Sequence, residues 1–496
     1  MYKTMTSPPW SFAATCSPSA GPGFLNSLKP TSWSVSGTDM LEGRTQSLCP
    51  VCLRLVDAAY MRTGNTVSLH KTCPEHGAFC VPIWNEKEGM PRFGTWRQRA
   101  RIPAYPTHPA TEIQEGCPFD CGLCPEHAQH TCTGLIEVTQ RCSLRCPVCF
   151  ASAERTGSDP SLTTIAQQMD ALFRASGTCN IQLSGGEPTE REDIVTIIAM
   201  AAERGFGLVQ LNTNGMRLGK ESGYAERLRQ AGLDSVYLQL DALDDEVCLA
   251  LRGRHCLKEK LAAVHACQKA GLGVVLVCTL VQGINDSLLG DLLRWAVEQG
   301  PHVRGLHIQP VSSFGRFPWD LKNAPRITLP DIMTSLEKQS AGMVHASDFH
   351  PPSCEHALCS FSAVYTRTQE GLSSPLGSSC CSGGSNMTSA AVDNAEGSRI
   401  SRAFTATHWR APSAHAQKEN QPASAVQDAF SRFLAQSGAA QRFTLSAMAF
   451  QDAVTLDVER VRGCCIHVVA RDGRLIPFCA YNLTSLEGVS LYRSQA

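Results

Sequence analysis

The chain has 496 residues and a formal net charge of -1, a balance that argues against a surface built to hold nucleic acid or an anionic membrane by charge. That length allows several domains. Its 24 cysteines sit in a chain too long for a small disulfide-stapled secreted scaffold.

The N-terminal stretch "MYKTMTSPPWSFAATCSPSAGPGFLNS" has one early Lys and no continuous apolar segment of the kind a secretion signal needs. The longest apolar run, "GLGVVLVCTLV" at 271–281, has strand length and falls short of a membrane span. The thiols are therefore expected to be reduced and cytoplasmic, available to metal.

Residues 1–44 are rich in Ser, Pro, Gly and Thr without periodicity and are expected to form a disordered tail. A rubredoxin-like or zinc-like module follows at 45–115. In it, "CPVC" (Cys49, Cys52) and "KTCPEHGAFC" (Cys73, His76, Cys80) make two knuckles that suit one tetrahedral ion, zinc or iron. The fourth ligand is His76 or Cys80, and spacing favours His76.

The loop at 116–133 contains Cys117, Cys121 and Cys124 in "CPFDCGLCPEH", with Cys132 shortly after. Four thiolates can close an iron-sulfur cluster that carries electrons; zinc is the alternative.

From 134 to 312 short apolar runs alternate with amphipathic ones, the signature of repeated strand-helix units. Strands are expected at 135–139, 180–184, 207–213, 235–241, 273–281 and 304–311, and helices at 162–176, 191–204, 221–231, 244–252, 257–270 and 286–298. This pattern predicts an α/β fold, a partial (β/α)6 barrel of the TIM type, whose site lies at the C-terminal ends of the strands. A doubly wound sheet would place a ligand there too. His307 and Gln309 alternate with Leu306 and Ile308 and are expected to point inward, as structural groups or substrate contacts.

After the first of these strands come Cys142, Cys146 and Cys149 in "RCSLRCPVCF". Three thiolates leave one iron of a four-iron cluster open to a small molecule. The same cysteines could form half of a zinc site, but zinc favours paired Cys-x2-Cys units. "LSGGEPT", with Gly185, Gly186 and Glu187, ends the next strand; the glycines permit close backbone approach and the carboxylate can accept from an ammonium group.

Residues 313–370 form an expected extension with candidate ligands Cys354 and Cys359. The stretch 371–425 is expected to be a flexible insert, and 426–496 a folded segment with a hairpin across Asp472–Gly473. Cys464, Cys465 and Cys479 lie in that segment, and two thiols from each side of the insert could close a second auxiliary cluster.

"RCSLRCPVCF" and "LSGGEPT" resemble the cluster loop and glycine motif of the radical S-adenosylmethionine (SAM) superfamily. The resemblance implies a 4Fe-4S cluster on Cys142, Cys146 and Cys149 that binds SAM and cleaves it to a 5'-deoxyadenosyl radical, which abstracts hydrogen from an unactivated C–H bond. It places Asn214, Gln239 and Asp241 near the ribose and substrate, and Arg252 near the SAM carboxylate. Val148 stands where many members have an aromatic residue, with Phe150 two positions on.

The wider set, including "KTCPEHG", "GCPFDCGLCPEHAQHTC" and "PFCAYN", resembles the group that holds archaeal tetraether lipid synthase and hydroxymethylpterin dimethyltransferases. It implies one or two auxiliary 4Fe-4S clusters, an electron donor such as flavodoxin or ferredoxin, and a lipid-like or pterin-like substrate. Carbon-carbon coupling of lipid chains is the leading expectation, with possible peripheral membrane contact. Methylation of a pterin carbon is the alternative, and a non-catalytic metal scaffold is the third.

Overall fold

The computed structural model describes residues 40–97, 100–320, 324–373, 391–412 and 441–493. The expected tail up to residue 39, and the expected insert at 374–390 and 413–425, lie outside the described residues.

The N-terminal module is an antiparallel sheet in the order β1 (Met40–Leu48), β2 (Leu55–Thr63), β3 (Thr66–Cys73), β4 (Gly77–Asn85). The first strand thus begins inside the stretch expected to be tail. Its core is aromatic: Trp84 packs against Phe93 and Trp96 of helix α1 (Phe93–Arg97). A short strand, β5 (Arg101–Ile102), follows.

The central unit then alternates strand and helix: β6 (Thr133–Thr139), α2 (Leu162–Ser176), β7 (Asn180–Gly185), α3 (Ile194–Glu203), β8 (Leu208–Thr213), α4 (Met216–Lys220), α5 (Tyr224–Gln230), β9 (Ser235–Gln239), α6 (Asp245–Arg252), α7 (Leu257–Lys269), β10 (Gly273–Leu280), α8 (Leu289–Glu298) and β11 (Val303–Pro310). The six strands pair in parallel and in sequence order, each with its neighbour in the chain. All six expected strands are present within a residue or two. Several alternate along their length, as in Ile181-Gln182-Leu183-Ser184 and Leu306-His307-Ile308-Gln309, so that one face packs under the helices and the other lines the interior.

The helices supply the outer layer. In α2, Ile165, Met169 and Leu172 recur at helical spacing and are buried, while Ser161 caps the first turn by accepting from the Thr164 amide.

Beyond β11 come α9 (Leu329–Gln339), β12 (Ser360–Thr368), β13 (Gly371–Ser373), β14 (Val392–Asp393), α10 (Asn394–Trp409), β15 (Arg442–Met448), β16 (Ile466–Val469) and β17 (Leu475–Pro477). β14 pairs with β5 in a separate two-stranded sheet, and the other strands extend the barrel sheet at both edges. β15 runs parallel to β11 and is followed by antiparallel β12; β16 runs parallel to β6 and forms the expected hairpin with β17. The C-terminal segment is therefore part of the barrel wall. α10 lies within the stretch expected to be a flexible insert; Asp393 caps it by accepting from the Ala395 and Glu396 amides. Among the described residues no helix is long and apolar enough to cross a membrane.

Candidate active site and metal centres

The concave side of the sheet encloses a cavity of about 330 Å³. Alternate residues of successive strands face it, as a pleat of period two requires: Gln182 and Ser184 of β7, Tyr237 and Gln239 of β9, His307 and Gln309 of β11, Thr444 and Ser446 of β15. His307 and Gln309 point inward as expected, and the His307 ring lies 2.8 Å from the Ser446 hydroxyl through Nδ1.

At the C-terminal end of the strands Cys142, Cys146 and Cys149 all line the cavity, in the loop after β6. Burial pushes the Cys142 thiol up to about 12, so the charge of bound iron is what would hold it as thiolate. The loop is secured by the segment that follows β11: Arg316 donates to the Cys146 carbonyl at 2.9 Å, and Arg316 and Cys149 exchange backbone hydrogen bonds of 2.9 Å.

Gly185 and Gly186 have a different first role from the one expected. The Gly186 amide donates to the Thr139 carbonyl and the Glu187 amide to the Arg141 carbonyl, both at 2.8 Å. A Cβ on Gly185, which has φ +126, would stand 2.1 Å from the Thr139 oxygen, and one on Gly186 would stand 2.3 Å from the Arg141 oxygen. The glycines let the end of β7 press against the cluster loop, and through that contact they also border the cavity.

Glu187 is 2 % exposed. Its Oε1 accepts from the Thr189 amide (3.1 Å), the Thr189 hydroxyl (2.6 Å) and the Thr213 hydroxyl (2.6 Å). Oε2 accepts from the Asn214 amide alone, at 2.7 Å, which leaves a lone pair for a further donor. Burial raises its pKa above the usual carboxyl range; a cation beside it would reverse that. Asn212 Oδ1 and Asn214 Nδ2 border the same space, buried and without a hydrogen-bond partner among the described residues.

Asp241 does not take the expected place. It is 2 % exposed and absent from the cavity wall. Its carboxylate accepts from Arg252 through Nε (2.7 Å) and Nη2 (2.6 Å), and from the Thr279 amide at 3.0 Å. The bidentate pair orients Arg252, which does face the cavity. Arg252 is the last residue of α6, which stops there because Gly253 takes φ 78. Lys260, fully buried and unremarked by its sequence, ties the ends of β8 and β9 by donating to the Asn214 carbonyl (3.1 Å) and the Gln239 carbonyl (2.8 Å).

The other cysteines sort differently from the expected sets. Cys49, Cys52, Cys73 and His76 place their ligand atoms within 4.8 Å of one another, with His76 Nδ1 at 3.6 Å from Cys49 Sγ and 3.4 Å from Cys73 Sγ. Zn–S bonds of about 2.3 Å in a tetrahedron call for separations of this order. Cys80 stands apart, 3.4 Å from His70 Nε2.

Cys132 does not join Cys117, Cys121 and Cys124. It groups with Cys354 and Cys465, all three buried with sulfurs within 4.8 Å, and its Sγ is 2.6 Å from that of Cys354. The reason is topological: Cys132 stands just before β6, and β16 pairs alongside β6 and brings Cys465 to it. Cys132 and Cys465 also border the cavity. Cys354 is thus parted from Cys359, Cys464 and Cys479. Burial raises the Cys464 and Cys479 thiols, and the charges of neighbouring Cys359 and of Cys479 add to the effect on Cys464. Cys117, Cys121 and Cys124 stay together, the Cys121 thiol being raised first by its contact with Cys117.

The sequence profile of the Radical SAM superfamily matches residues 136–296, and that of the HMPTM N-terminal zinc ribbon domain matches residues 41–85. The chain is 34% identical over 479 residues to the 7,8-dihydro-6-hydroxymethylpterin dimethyltransferase of Methanocaldococcus jannaschii, covering 89% of this chain and 94% of that protein. It is 31% identical over 198 residues to the GTP 3',8-cyclase of Paenarthrobacter nicotinovorans, covering 39% of this chain and 55% of that one. Among solved structures it is similar to Streptococcus suis SuiB bound to the precursor peptide SuiA, at 15% identity, over 43% of this chain and 46% of that chain, with a TM-score of 0.37.

Proposed function

Because the chain belongs to the radical SAM superfamily, we propose that it is an enzyme of radical C-methylation whose substrate is a pterin-class heterocycle. The observation that carries this reading is the end-to-end match to a dihydropterin dimethyltransferase, 94% of which is covered. The leading expectation, lipid-chain coupling, gives way to its alternative, since that relative is named for a pterin. The non-catalytic scaffold gives way as well, because the chain keeps the three thiols and Glu187 around one cavity.

The donor set suits the cofactors. Soft thiols at Cys142, Cys146 and Cys149 fit a 4Fe-4S cluster with one open iron, and the unpartnered amide atoms of Asn212 and Asn214 fit a polar ligand beside it. When bound, the cluster and SAM supply a 5'-deoxyadenosyl radical. In this reading Glu187 Oε2 accepts from the SAM ammonium, Arg252 pairs with its carboxylate, Asn214 and Gln239 meet the ribose, and Asp241 positions Arg252. Phe150, which borders the cavity and packs on Phe478 at 5.7 Å between ring centres, offers the aromatic face absent at Val148.

Zinc belongs to Cys49, Cys52, Cys73 and His76. We assign auxiliary iron-sulfur chemistry to Cys117, Cys121 and Cys124, to Cys132, Cys354 and Cys465, and to Cys359, Cys464 and Cys479. A reductant of the flavodoxin or ferredoxin class supplies electrons.

The test is anaerobic incubation of reconstituted protein with SAM and a strong reductant. 5'-Deoxyadenosine is expected from the wild type and not from Cys146→Ala; its absence from fully reconstituted wild type sinks the reading.

A further inference from the structure

α10 crosses the end of the barrel opposite the cluster loop. Its anchors lie at the N-terminal ends of five successive strands. Arg402 donates to the Ser176 carbonyl at 2.9 Å, just ahead of β7. Arg410 donates to the Gly207 carbonyl ahead of β8 and to both oxygens of Asp234 ahead of β9, at 2.9 to 3.0 Å. The Trp409 carbonyl lies 2.1 Å from where a Cβ on Gly273, the first residue of β10, would stand, and Arg304 at the start of β11 donates to the His408 carbonyl at 2.7 Å. Such a set fixes a helix as a cap across a barrel mouth.

Its inner face carries Ser401, Phe404, Thr405 and Trp409, which all border the cavity at the spacing that puts side chains on one stripe. The Trp409 ring lies 5.6 Å from Tyr237 with 30° between planes. Its Nε1 is buried and has no hydrogen-bond partner among the described residues, and neither has the nearby cavity-lining hydroxyl of Thr444. An indole N–H can only donate, and a buried donor left unpaired is costly. A cavity occupant with an acceptor at that depth resolves the deficit.

We propose that α10 is the floor of the substrate chamber and its specificity element: Trp409 donates to a carbonyl or ring nitrogen of a compact heterocycle, and the helix closes the path a long chain would need. The inference rests on the pterin reading above and adds the residues that select for it. Long acyl chains are excluded by depth, and a heterocycle is chosen by the donor at the bottom.

The experiment measures dihydropterin binding to reconstituted holoprotein by calorimetry for wild type, Trp409→Phe and Thr405→Leu, with SAM binding measured in the same samples and a saturated sixteen-carbon acyl probe as the competing ligand. Trp409→Phe keeps an aromatic six-membered ring and removes the pyrrole part with its N–H, so dihydropterin is expected to bind about three- to ten-fold more weakly. Thr405→Leu raises the floor, and a loss of about ten-fold or more is expected. SAM affinity stays within about two-fold in both, since it sits at the other end and reports an intact fold. Wild type that binds dihydropterin while both variants bind it equally well overturns the floor and leaves the pterin reading standing. Wild type that refuses dihydropterin and takes the acyl probe overturns both.

Discussion

Asp241 and Glu187 are two buried carboxylates with opposite fates. Glu187 keeps spare acceptor capacity at Oε2 beside the cavity, and Asp241, off the cavity wall, is paired with Arg252 through both oxygens. Glu187→Gln removes the charge and turns a donor toward the Asn214 amide; SAM should bind about ten- to a hundred-fold more weakly, the range of a lost charged hydrogen bond. Asp241→Asn strands the Arg252 guanidinium in a buried pair, for which about 3 to 5 kcal/mol of stability is at stake. A thermal shift assay should show a large drop for Asp241→Asn; an unchanged midpoint with weakened SAM binding would restore Asp241 to direct ligand contact.

The legibility of these residues follows from distance along the chain. Glu187 and the three cluster cysteines sit in short local motifs, so residue types and spacing suffice. Asp241 was misplaced because its partner Arg252 is one helix away, and Cys132 because its partners Cys354 and Cys465 arrive through strand pairing far along the chain. The adjacent cysteines of "GCC" were visible, but only the β6–β16 pairing says that Cys465 faces Cys132 and Cys464 does not.

The barrel elements were the easiest to read, because apolar strand runs and amphipathic helices repeat with the two natural periods. α10 was hidden by composition: its Ser, Ala and Thr content resembles a linker, and its apolar stripe faces a cavity rather than a core. Elements joined by metal make their own prediction. Removing zinc from Cys49, Cys52, Cys73 and His76 by chelation, or by Cys73→Ala, should lower the melting temperature of the module carrying β1 to β4 by several degrees and expose Trp84, read as a red shift of its fluorescence. At the contact between β7 and the cluster loop, Gly186→Ala should prevent cluster reconstitution, seen as loss of the iron-sulfur absorbance, because the nearest atoms are not a flexible side chain that can yield but the backbone of Gln140 and Arg141.

On the scale of the whole molecule, the C-terminal strands flank the barrel on both sides, so the last fifty residues and the central unit fold as one wall. α10 is stitched to that wall at His408, which accepts from Arg442 of β15 through Nε2 at 3.2 Å while its Nδ1 donates to the Phe404 carbonyl of its own helix at 2.8 Å. Only the neutral ring can do both, and burial lowers its pKa from 6.5 to about 4, as it does for His307. The unfolded chain therefore binds protons below about 6.5 that the folded chain refuses until about 4. Stability should fall as pH drops through that window, by up to about 1.4 kcal/mol per unit for each ring. Denaturant unfolding at pH 7 and pH 5 checks this, and His408→Gln should flatten the slope.

We propose that this barrel methylates a compact heterocycle by radical chemistry. The most direct test is mass analysis after anaerobic turnover of the reconstituted enzyme with 7,8-dihydro-6-hydroxymethylpterin, a strong reductant and SAM. We expect a pterin that has gained methyl carbon from SAM, formed together with 5'-deoxyadenosine from the SAM that is cleaved and S-adenosylhomocysteine from the SAM that gives up its methyl, and lost in Cys146→Ala. Abundant 5'-deoxyadenosine with an unchanged pterin, and joined chains when a labelled lipid is supplied instead, would contradict it.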